Sequence, residues 1–509
     1  MAGLLEDFGS TPIAQPKRFK SQGEPMNVEE LSARVRWDLS CLSYPAVEWT
    51  VPRFREGKRC LDVLIVGGGQ GGLATALGLR LERVNNFRIV DRNPTGHEGP
   101  WRRFARMVTL RTPKEVTGID LGIPSLTPRA WYEARFGSSA WEQISRIERE
   151  VWQDYLDWYR DVLEIPVEND TEVLAIVPHD ELLAVDLRGP KGVERVHTRC
   201  VVLATGIEGN GEWLLPPFVD SISQARYARS ADVIDFRRLA GKRVGILGGG
   251  ASAFDNAGAA LEAGAAKVDL CIRRADVPRV NPYIWMNFAG VLGHLVELSD
   301  LQRWRYMRHV LEELPVPPPQ DAFERCRRFA NFAIHTGCPW QAAREEGDAV
   351  AIETARGPFV FDFVIFAAGI ATDLTIRPEL AAFARQIALW GDRFTPPAGE
   401  ESELLARHPY LGPAFEFTER EPGNAAFLSR IYNFTFGATP SHGLTGAAVT
   451  GMRYGVPRLI GGVVRRLFVE DAEHYYRDLV AYDVPELSIR EATTVKAKMS
   501  THETPPVAV

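Results

Sequence analysis

The sequence contains no closely spaced pair of cysteines. Its six cysteines are scattered through 509 residues, and none of them forms a Cys-x-x-Cys pair. This absence excludes a neighbouring redox dithiol from the chemistry of the chain. Three cysteines fall inside apolar segments typical of strands, which indicates buried free thiols in a reducing compartment. We therefore expect a cytoplasmic protein.

Long apolar runs are also lacking. The segment from Leu64 to Leu79 comes closest to a membrane span, but glycines and a glutamine interrupt it. We therefore expect no transmembrane helix. The N-terminal stretch has no basic region followed by an apolar core, so we expect no secretory signal.

Charge and side-chain clusters exclude further classes. The net charge of −7 and the lack of a Lys/Arg run argue against a nucleic-acid partner. The ten histidines form no His-x-x-x-His pair and no cluster with cysteine, so we expect no metal site. No Gly-x-Ser-x-Gly motif is present, which leaves a serine hydrolase without support.

One supersecondary plan occurs twice in the chain. Short apolar runs bounded by glycine predict buried strands, and small and apolar residues between them predict helices. The predicted copies are strand 60–66, helix 70–84 and strand 87–91, then strand 242–248, helix 251–265 and strand 267–272. The pattern predicts an α/β fold with two Rossmann-like dinucleotide-binding domains, the second inserted in the first.

The first Gly-rich turn has the pattern Gly-x-Gly-x-x-Gly between strand and helix. Its glycines would allow a tight turn, a close approach of the backbone to a pyrophosphate, and packing of the helix on the strand. An acid at the end of the next strand would hold an adenosine ribose. The alternative is a Gly-rich turn in an ordinary α/β sheet. The predicted cofactor residues here are Gly67, Gly69, Gly71, Gly72, Asp91 and Arg92.

The second turn is the Gly-x-Gly-x-x-Ala variant, and its next strand ends in two arginines. Guanidinium groups at that position pair with a 2′-phosphate, which a carboxylate would repel. This site is therefore interpreted as binding NADPH, although the arginines could instead belong to a solvated surface turn. The predicted residues are Gly248, Gly250, Ser252, Ala253, Arg273 and Arg274.

Over residues 58–470 the chain resembles the flavoproteins with two dinucleotide-binding domains. Besides the two turns, the segments Val202–Gly206 and Phe366–Gly369 look like the strand ends at which the chain of that family crosses between domains. This likeness implies contacts of Thr205 and Gly206 with FAD. The flavin disulfide reductases of the superfamily need a cysteine pair that this chain lacks.

Within that superfamily the chain is most similar to the class B single-component flavin monooxygenases. Gly99-Pro100-Trp101 resembles a motif beside the flavin ring, which implies that Trp101 walls the flavin. The stretch 111–115 resembles an Asn-Thr-Ser-Lys-Glu motif, with Arg111 in place of Asn. The turn 441–444 is similar to the His-Gly turn of N-hydroxylating amino-acid monooxygenases. The Baeyer–Villiger fingerprint is broken, because Arg229 occupies its histidine position.

The resemblance implies that NADPH reduces FAD and that O₂ then forms a C4a-(hydro)peroxyflavin, which oxygenates a small molecule. We expect an N or S acceptor, with Arg111, Lys114 and His442 as candidate catalytic residues. The alternatives are an NADPH-dependent flavin oxidoreductase without oxygenation, a Baeyer–Villiger-type monooxygenase, and a nucleotide-sensing protein. The aromatic-rich segment 281–288 is expected to line the substrate pocket. The oligomeric state is open, and a homo-oligomer is one option.

These expectations divide the chain into five parts. They are an N-terminal extension over 1–58, the first part of the FAD-binding domain over 59–239, the NADPH-binding domain over 240–360, the second part of the FAD-binding domain over 361–470, and a C-terminal helix with a mobile tail over 471–509.

Overall fold

A computed structural model describes residues 26–446 and 448–487 of the chain. Of these residues, those up to Leu467 form one compact unit, and those from Phe468 onward form a second. The mobile tail was predicted in a part of the sequence that lies mostly outside the described residues. The C-terminal helix that precedes it is present as Ala472–Ala481.

Seven strands within the described residues form the first sheet. Leu61–Val66 lies at its centre and pairs in parallel with Phe87–Val90 on one side and with the long strand Gly192–Gly206 on the other. Five of its six residues are buried, as expected for a strand covered on both faces. The remaining strands are Val167–Glu168, Glu172–His179, Leu182–Gly189 and Ile431–Thr435.

Five parallel strands of the described chain form the second sheet. Their spatial order is Tyr227–Arg229, Phe363–Phe366, Arg243–Leu247, Lys267–Cys271 and Phe332–His335. All of them lie in sequence between two strands of the first sheet, so the second sheet is an insertion. The predicted α/β fold with one dinucleotide-binding domain inserted in the other is confirmed. The boundaries at 240 and 360 stay a prediction, and the sheet extends beyond both.

A helix follows the first strand of each Gly-rich unit. Gln70–Leu81 and Ala251–Glu262 each bury nine residues, most of them alanine, glycine and leucine. Small side chains let these helices approach other elements closely. An added Cβ on Gly78 would lie 2.7 Å from Ile460 of the helix Val449–Glu470. The first of these helices therefore packs against the C-terminal part of the same domain.

The segment 141–163, which has apolar residues at helical spacing, is broken in the structure. Helix Ser138–Gln143 ends at an extended Ile144, and helix Arg149–Val162 begins after an extended Glu148. Between them Ile147 accepts a hydrogen bond from the backbone N–H of Leu110 at 2.8 Å. Pairing with the strand-like stretch 108–110 competes with helix continuation here, and it fixes the backbone beside Arg111.

The N-terminal extension packs on the body where it is described. Helix Val28–Cys41 places Leu31 and Val35 in the core of the first sheet. Its start is capped by Asn27, whose side chain accepts from Glu30, while the Glu30 carboxylate accepts from the Asn27 N–H.

Smaller elements complete the fold. The remaining strands are Phe54–Arg55, Lys58–Arg59, Gly211–Trp213, Trp340–Glu346, Ala349–Thr354, Phe359–Phe361 and Ile370–Thr372. The remaining helices are Pro128–Phe136, Pro282–Trp285, Ala289–His294, Asp300–Arg308, His309–Glu313 (a π-helix), Gln320–Arg327, Trp390–Arg393, Glu403–Ala406 and Thr439–His442. Among the helices described here, none combines the length and apolar character required to cross a membrane.

Candidate active site

The first Gly-rich turn is tightly closed. Gly67 has a φ of +110°, and a Cβ on it would lie 2.5 Å from the carbonyl oxygen of Ala204. A Cβ on Gly72 would lie 1.9 Å from the carbonyl oxygen of Gly67. Both positions therefore require glycine for the strand, the turn and the helix to meet. A Cβ on Gly69 would fit, because its nearest neighbour, the Glu98 carbonyl oxygen, would lie 3.6 Å away in ordinary van der Waals contact.

A buried carboxylate holds this turn. One oxygen of Asp91 accepts from the Gly68 N–H at 2.8 Å, and the other accepts from the Asn93 N–H at 2.8 Å. Burial raises the pKa of Asp91, and these hydrogen bonds oppose the rise. Asp91 therefore fixes the turn, and it also faces the large cavity described below.

The second turn repeats the same closure. Gly248 has a φ of +151°, and a Cβ on it would lie 2.4 Å from the carbonyl oxygen of Ala367. Gly250 has no atom within 4 Å of the place where a Cβ would lie. No side chain caps the helix Ala251–Glu262 that follows, so its first N–H groups are available to an anion.

Two adjacent arginines follow the next strand, Lys267–Cys271. Arg273 is exposed and Arg274 is half-buried. Burial and then the like charge of Arg273 lower the pKa of Arg274. Neither side chain forms an ion pair within the described residues. An anionic group such as a phosphate would relieve this repulsion.

A cavity of about 740 Å³ extends from the first turn to the helix after the second. Its size falls within the range of small-molecule sites. The predicted residues that line it are Gly67, Gly69, Gly71, Asp91, Arg92, Trp101, Arg111, Thr205, Gly206 and Ser252. Those that do not line it are Gly72, Lys114, His442, Gly248, Gly250, Ala253, Arg273 and Arg274.

Lys114 is held against a helix, away from the cavity. Its ammonium group donates to the carbonyl oxygen of Trp141 at 2.6 Å and lies 5.2 Å from the centroid of that indole ring. These contacts tie the loop after Arg111 to the helix Ser138–Gln143. The predicted catalytic role of Lys114 stays a prediction without a contact at the cavity.

His442 is buried behind the cavity wall. Its Nε2–H donates to the carbonyl oxygen of Gly412 at 2.9 Å, and its ring stacks on Phe415 with centroids 3.9 Å apart. Burial lowers the pKa of His442 to about 3, so the imidazole is neutral at neutral pH. Its predicted role as a proton donor likewise stays a prediction.

Three buried polar atoms in the cavity wall suit a dinucleotide ligand. The hydroxyl oxygens of Thr205 and Ser230 and the amide oxygen of Asn256 have no hydrogen-bond partner within the described part of the chain. Buried polar atoms are normally paired, so these indicate groups that a ligand would satisfy. Thr205 belongs to the first sheet and fits FAD. Ser230 directly follows a strand of the second sheet, Asn256 lies on the helix after the second turn, and both fit a nicotinamide cofactor.

Arg111 makes a contact that the sequence motifs do not reveal. Its Nη2 lies 2.8 Å from Oδ2 of Asp255, whose side chain is 6% exposed. Burial raises the pKa of Asp255, and Arg111 opposes the rise. Asp255 was missed because it belongs to no motif; a lone acid in a helix of small residues was the available signal.

The aromatic-rich segment 281–288 lies at the cavity as expected. Asn281, Tyr283, Ile284 and Asn287 all line it. Burial raises the pKa of Tyr283 to about 12, so its hydroxyl stays protonated and can donate a hydrogen bond at neutral pH. Helix Pro282–Trp285 and the residues on either side of it therefore form part of the cavity wall.

Comparison with known proteins gives one relative along nearly the whole length. The chain is 41% identical over 470 residues to the FAD-dependent urate hydroxylase of Xanthomonas campestris pv. campestris, a match that covers 91% of this chain and 97% of the relative. The family model described as pyridine nucleotide-disulphide oxidoreductase matches residues 64–302.

Solved structures share the fold at low identity. The ornithine N-hydroxylase of Kutzneria sp. 744 is 17% identical with a TM-score of 0.63, covering 80% of this chain and 99% of that one. L-lysine 6-monooxygenase from Pseudomonas syringae is 15% identical with a TM-score of 0.62, at the same coverage. These likenesses confirm the arrangement of the two dinucleotide-binding domains.

Alanine at the two open glycines should separate the two cofactor sites. Gly69→Ala and Gly250→Ala meet no close neighbour, so we expect both variants to fold. A methyl group on Gly69 would block the approach of the FAD pyrophosphate, and one on Gly250 would block that of NADPH. We expect the FAD content of Gly69→Ala to fall at least tenfold. Gly250→Ala should keep its yellow colour, but NADPH should reduce it at least ten times more slowly. Flavin absorbance and anaerobic stopped-flow measure both effects.

Gly461→Ala is the matched control, because Gly461 is exposed on a helix and also has open space. It should retain both properties. Full FAD content in Gly69→Ala would contradict the assignment of the first turn.

His442 should make the fold sensitive to acid. Its folded-state pKa of about 3 lies below the ordinary value of 6.5, so the unfolded chain binds the proton first as the pH falls. The contribution of His442 to the free energy of unfolding is fully present above pH 6.5 and is lost progressively toward pH 3. Between pH 7.5 and 5.5, the free energy of unfolding should fall by about 1 kcal/mol less in His442→Gln than in the wild type. The measurement is the Tm of each protein at both pH values.

His309→Gln, at an exposed histidine, serves as the control and should follow the wild type. If Tm falls equally in His442→Gln and in the wild type, the pKa of this histidine does not differ between the folded and unfolded states.

Proposed function

We propose a reaction for this chain on the premise that it belongs to the family of the FAD-dependent urate hydroxylase. The chain is an FAD- and NADPH-dependent flavin monooxygenase, and we infer that it hydroxylates urate or a closely related oxopurine with O₂. The prediction of a flavin monooxygenase is thereby confirmed. The preference for an N or S acceptor stays a prediction.

The observation that carries this proposal is one cavity that joins the two dinucleotide sites. It reaches from Asp91 at the first turn to Ser252 at the start of the helix after the second. A ligand in the middle of the cavity would lie between FAD and the helix Ala251–Glu262, which follows the second turn. The urate hydroxylase matches this chain over 470 residues, and this match supports a hydroxylation reaction in the cavity.

The protein's own groups divide into binding and shielding tasks. Bound FAD and NADPH would supply the reducing equivalents and activate O₂. Backbone N–H groups after Gly67 and Gly250 would hold the pyrophosphates, and Thr205 would offer its free hydroxyl to FAD. Arg273 and Arg274 would pair with the 2′-phosphate.

The middle of the cavity suits a planar polar acid. Asn281, Tyr283 and Asn287 bring hydrogen-bonding side chains to the cavity, and Arg111 brings a positive charge. Trp101 also lines the cavity, with its ring edge-on to Trp152 at 6.4 Å. Helix Pro282–Trp285 would limit the access of water to this space.

The two alternative activities are not favoured. The relative that matches nearly the whole chain is a hydroxylase, which supports neither a flavin oxidoreductase without oxygenation nor a Baeyer–Villiger-type monooxygenase. We also infer a cytoplasmic location, because all six cysteines are free thiols and five of them are buried.

The reaction is tested by supplying urate, NADPH and ¹⁸O₂ to the purified enzyme. We expect NADPH and O₂ to be consumed in equal amounts and one ¹⁸O atom to appear in the hydroxylated product, detected by mass spectrometry. A panel of amines, amino acids, sulfides and ketones tests the N or S preference. Formation of H₂O₂ alone with urate and the whole panel would contradict a monooxygenase.

The cofactor preference is tested by Arg273→Ala/Arg274→Ala. A charged hydrogen bond contributes about 1.5–3 kcal/mol, so the loss of two cations should raise the KM for NADPH by about 30-fold or more. The KM for NADH should stay within threefold. Steady-state kinetics with both cofactors measure this. Arg129→Ala, at an exposed arginine paired with Glu133, is the control. An unchanged ratio of the two KM values would place the 2′-phosphate elsewhere.

A further inference from the structure

We propose that Arg111 is the group that binds the anionic substrate and that Asp255 is the positioning residue that aims it. This inference rests on the proposed function and names the residues that would select an acidic oxopurine. The observation behind it is the ion pair between Nη2 of Arg111 and Oδ2 of Asp255, 2.8 Å apart, at the wall of the cavity.

The pair joins the two dinucleotide-binding domains. Arg111 follows Leu110, whose buried side chain lies in the core of the first sheet and whose N–H donates to Ile147 at 2.8 Å. Asp255 lies on the helix Ala251–Glu262 of the second sheet, with its side chain 6% exposed. Both ends of the pair are therefore fixed by rigid elements, so the guanidinium has a defined place between the two cofactor sites.

Arg111 keeps most of its hydrogen-bonding capacity. A guanidinium has five N–H donors, and the bond to Asp255 is the one hydrogen bond of this side chain within the described residues. Its side chain is 39% exposed and lines the cavity. The remaining donors can form a planar fork to an oxygen and a nitrogen of an anion.

The other arginines of the cavity have partners near their own position in the fold. Arg106 donates to the carbonyl oxygens of Ser230 and Asp232, and burial lowers its pKa to about 10. Arg92 pairs with Glu208 at 3.0 Å. Arg377 pairs with a buried Glu379 at 2.8 Å. Arg103 lies 3.9 Å from the same Glu208. Among these cavity arginines, Arg111 is the one whose ion-pair partner lies on the helix Ala251–Glu262 of the second sheet, which places it between the two cofactor sites.

Asp255 acts on the substrate only through Arg111. Its carboxylate is buried, and burial raises its pKa. The ion pair with Arg111 is the largest interaction that opposes this rise, ahead of the charge of Arg325. Removal of the Asp255 charge should therefore loosen the guanidinium and weaken substrate binding, with little effect once Arg111 itself is gone.

The first test is a double-mutant cycle on the KM for urate. We expect the KM to rise about 100-fold in Arg111→Gln, about 10-fold in Arg111→Lys, which keeps the charge but loses the fork, and about 10-fold in Asp255→Asn. Arg111→Gln/Asp255→Asn should match Arg111→Gln within twofold, and the KM for NADPH should stay within threefold in all of them. FAD content shows that each variant folds, and Asp255→Asn keeps the shape of the side chain.

The matched control is the pair formed by Arg195 and Asp186, 2.7 Å apart on two paired strands of the first sheet. Arg195→Gln and Asp186→Asn should leave the KM for urate unchanged. A purely structural bridge between domains would instead lower FAD content or kcat in the Arg111 and Asp255 variants without changing the KM. That result, or additive effects in the double variant, would overturn the proposal.

The second test does not depend on urate. Iodide and acrylamide both quench flavin fluorescence, but only iodide is drawn to a cation near the flavin. We expect the iodide quenching constant to fall at least threefold in Arg111→Gln and the acrylamide constant to stay the same. A wild type that fails to turn over urate but shows this difference would overturn the substrate assignment alone. Equal iodide quenching in the wild type and Arg111→Gln would overturn the role of Arg111.

Discussion

In each dinucleotide-binding domain a glycine turn meets the end of a neighbouring strand with no room for a side chain between them. Gly67 lies against the carbonyl oxygen of Ala204, and Gly248 lies in the same way against that of Ala367. A side chain at either glycine would push strand and turn apart. Because each contact fixes the start of a helix, it also fixes where that helix presents its free N–H groups. Both cofactor sites depend on this one steric constraint.

The insertion of one sheet in the other brings the first turn and the helix after the second turn to a common cavity. Asp91 closes the first turn from within the first sheet, and Asp255 reaches out of the helix that follows the second turn. The two acids bind groups of different domains. Asp91 binds the backbone of its own domain, whereas Asp255 binds Arg111 of the other domain. The cavity therefore has walls from both domains and an ion pair between them.

The lack of cysteine at the cavity agrees with the oxygen chemistry of the family. The model of the pyridine nucleotide-disulphide oxidoreductases matches residues 64–302, because these proteins share the dinucleotide-binding fold. Disulfide chemistry requires a cysteine pair beside the flavin, and the cysteines here are buried elsewhere or exposed near the N-terminus. The relative that matches nearly the whole chain is a hydroxylase. Fold and chemistry are thus decided by different residues.

The sequence by itself determined the two glycine turns, the strands around them and the identity of the cofactors, because these depend on local steric rules that repeat with fixed spacing. It also indicated that segment 281–288 faces the cavity. Only the tertiary structure decided that Lys114 and His442 lie away from the cavity and that the segment 141–163 is broken by pairing with residues 108–110. The same holds for the pair of Arg111 and Asp255. These contacts join residues far apart in the chain, and no local pattern records which distant group will compete for a backbone or a charge.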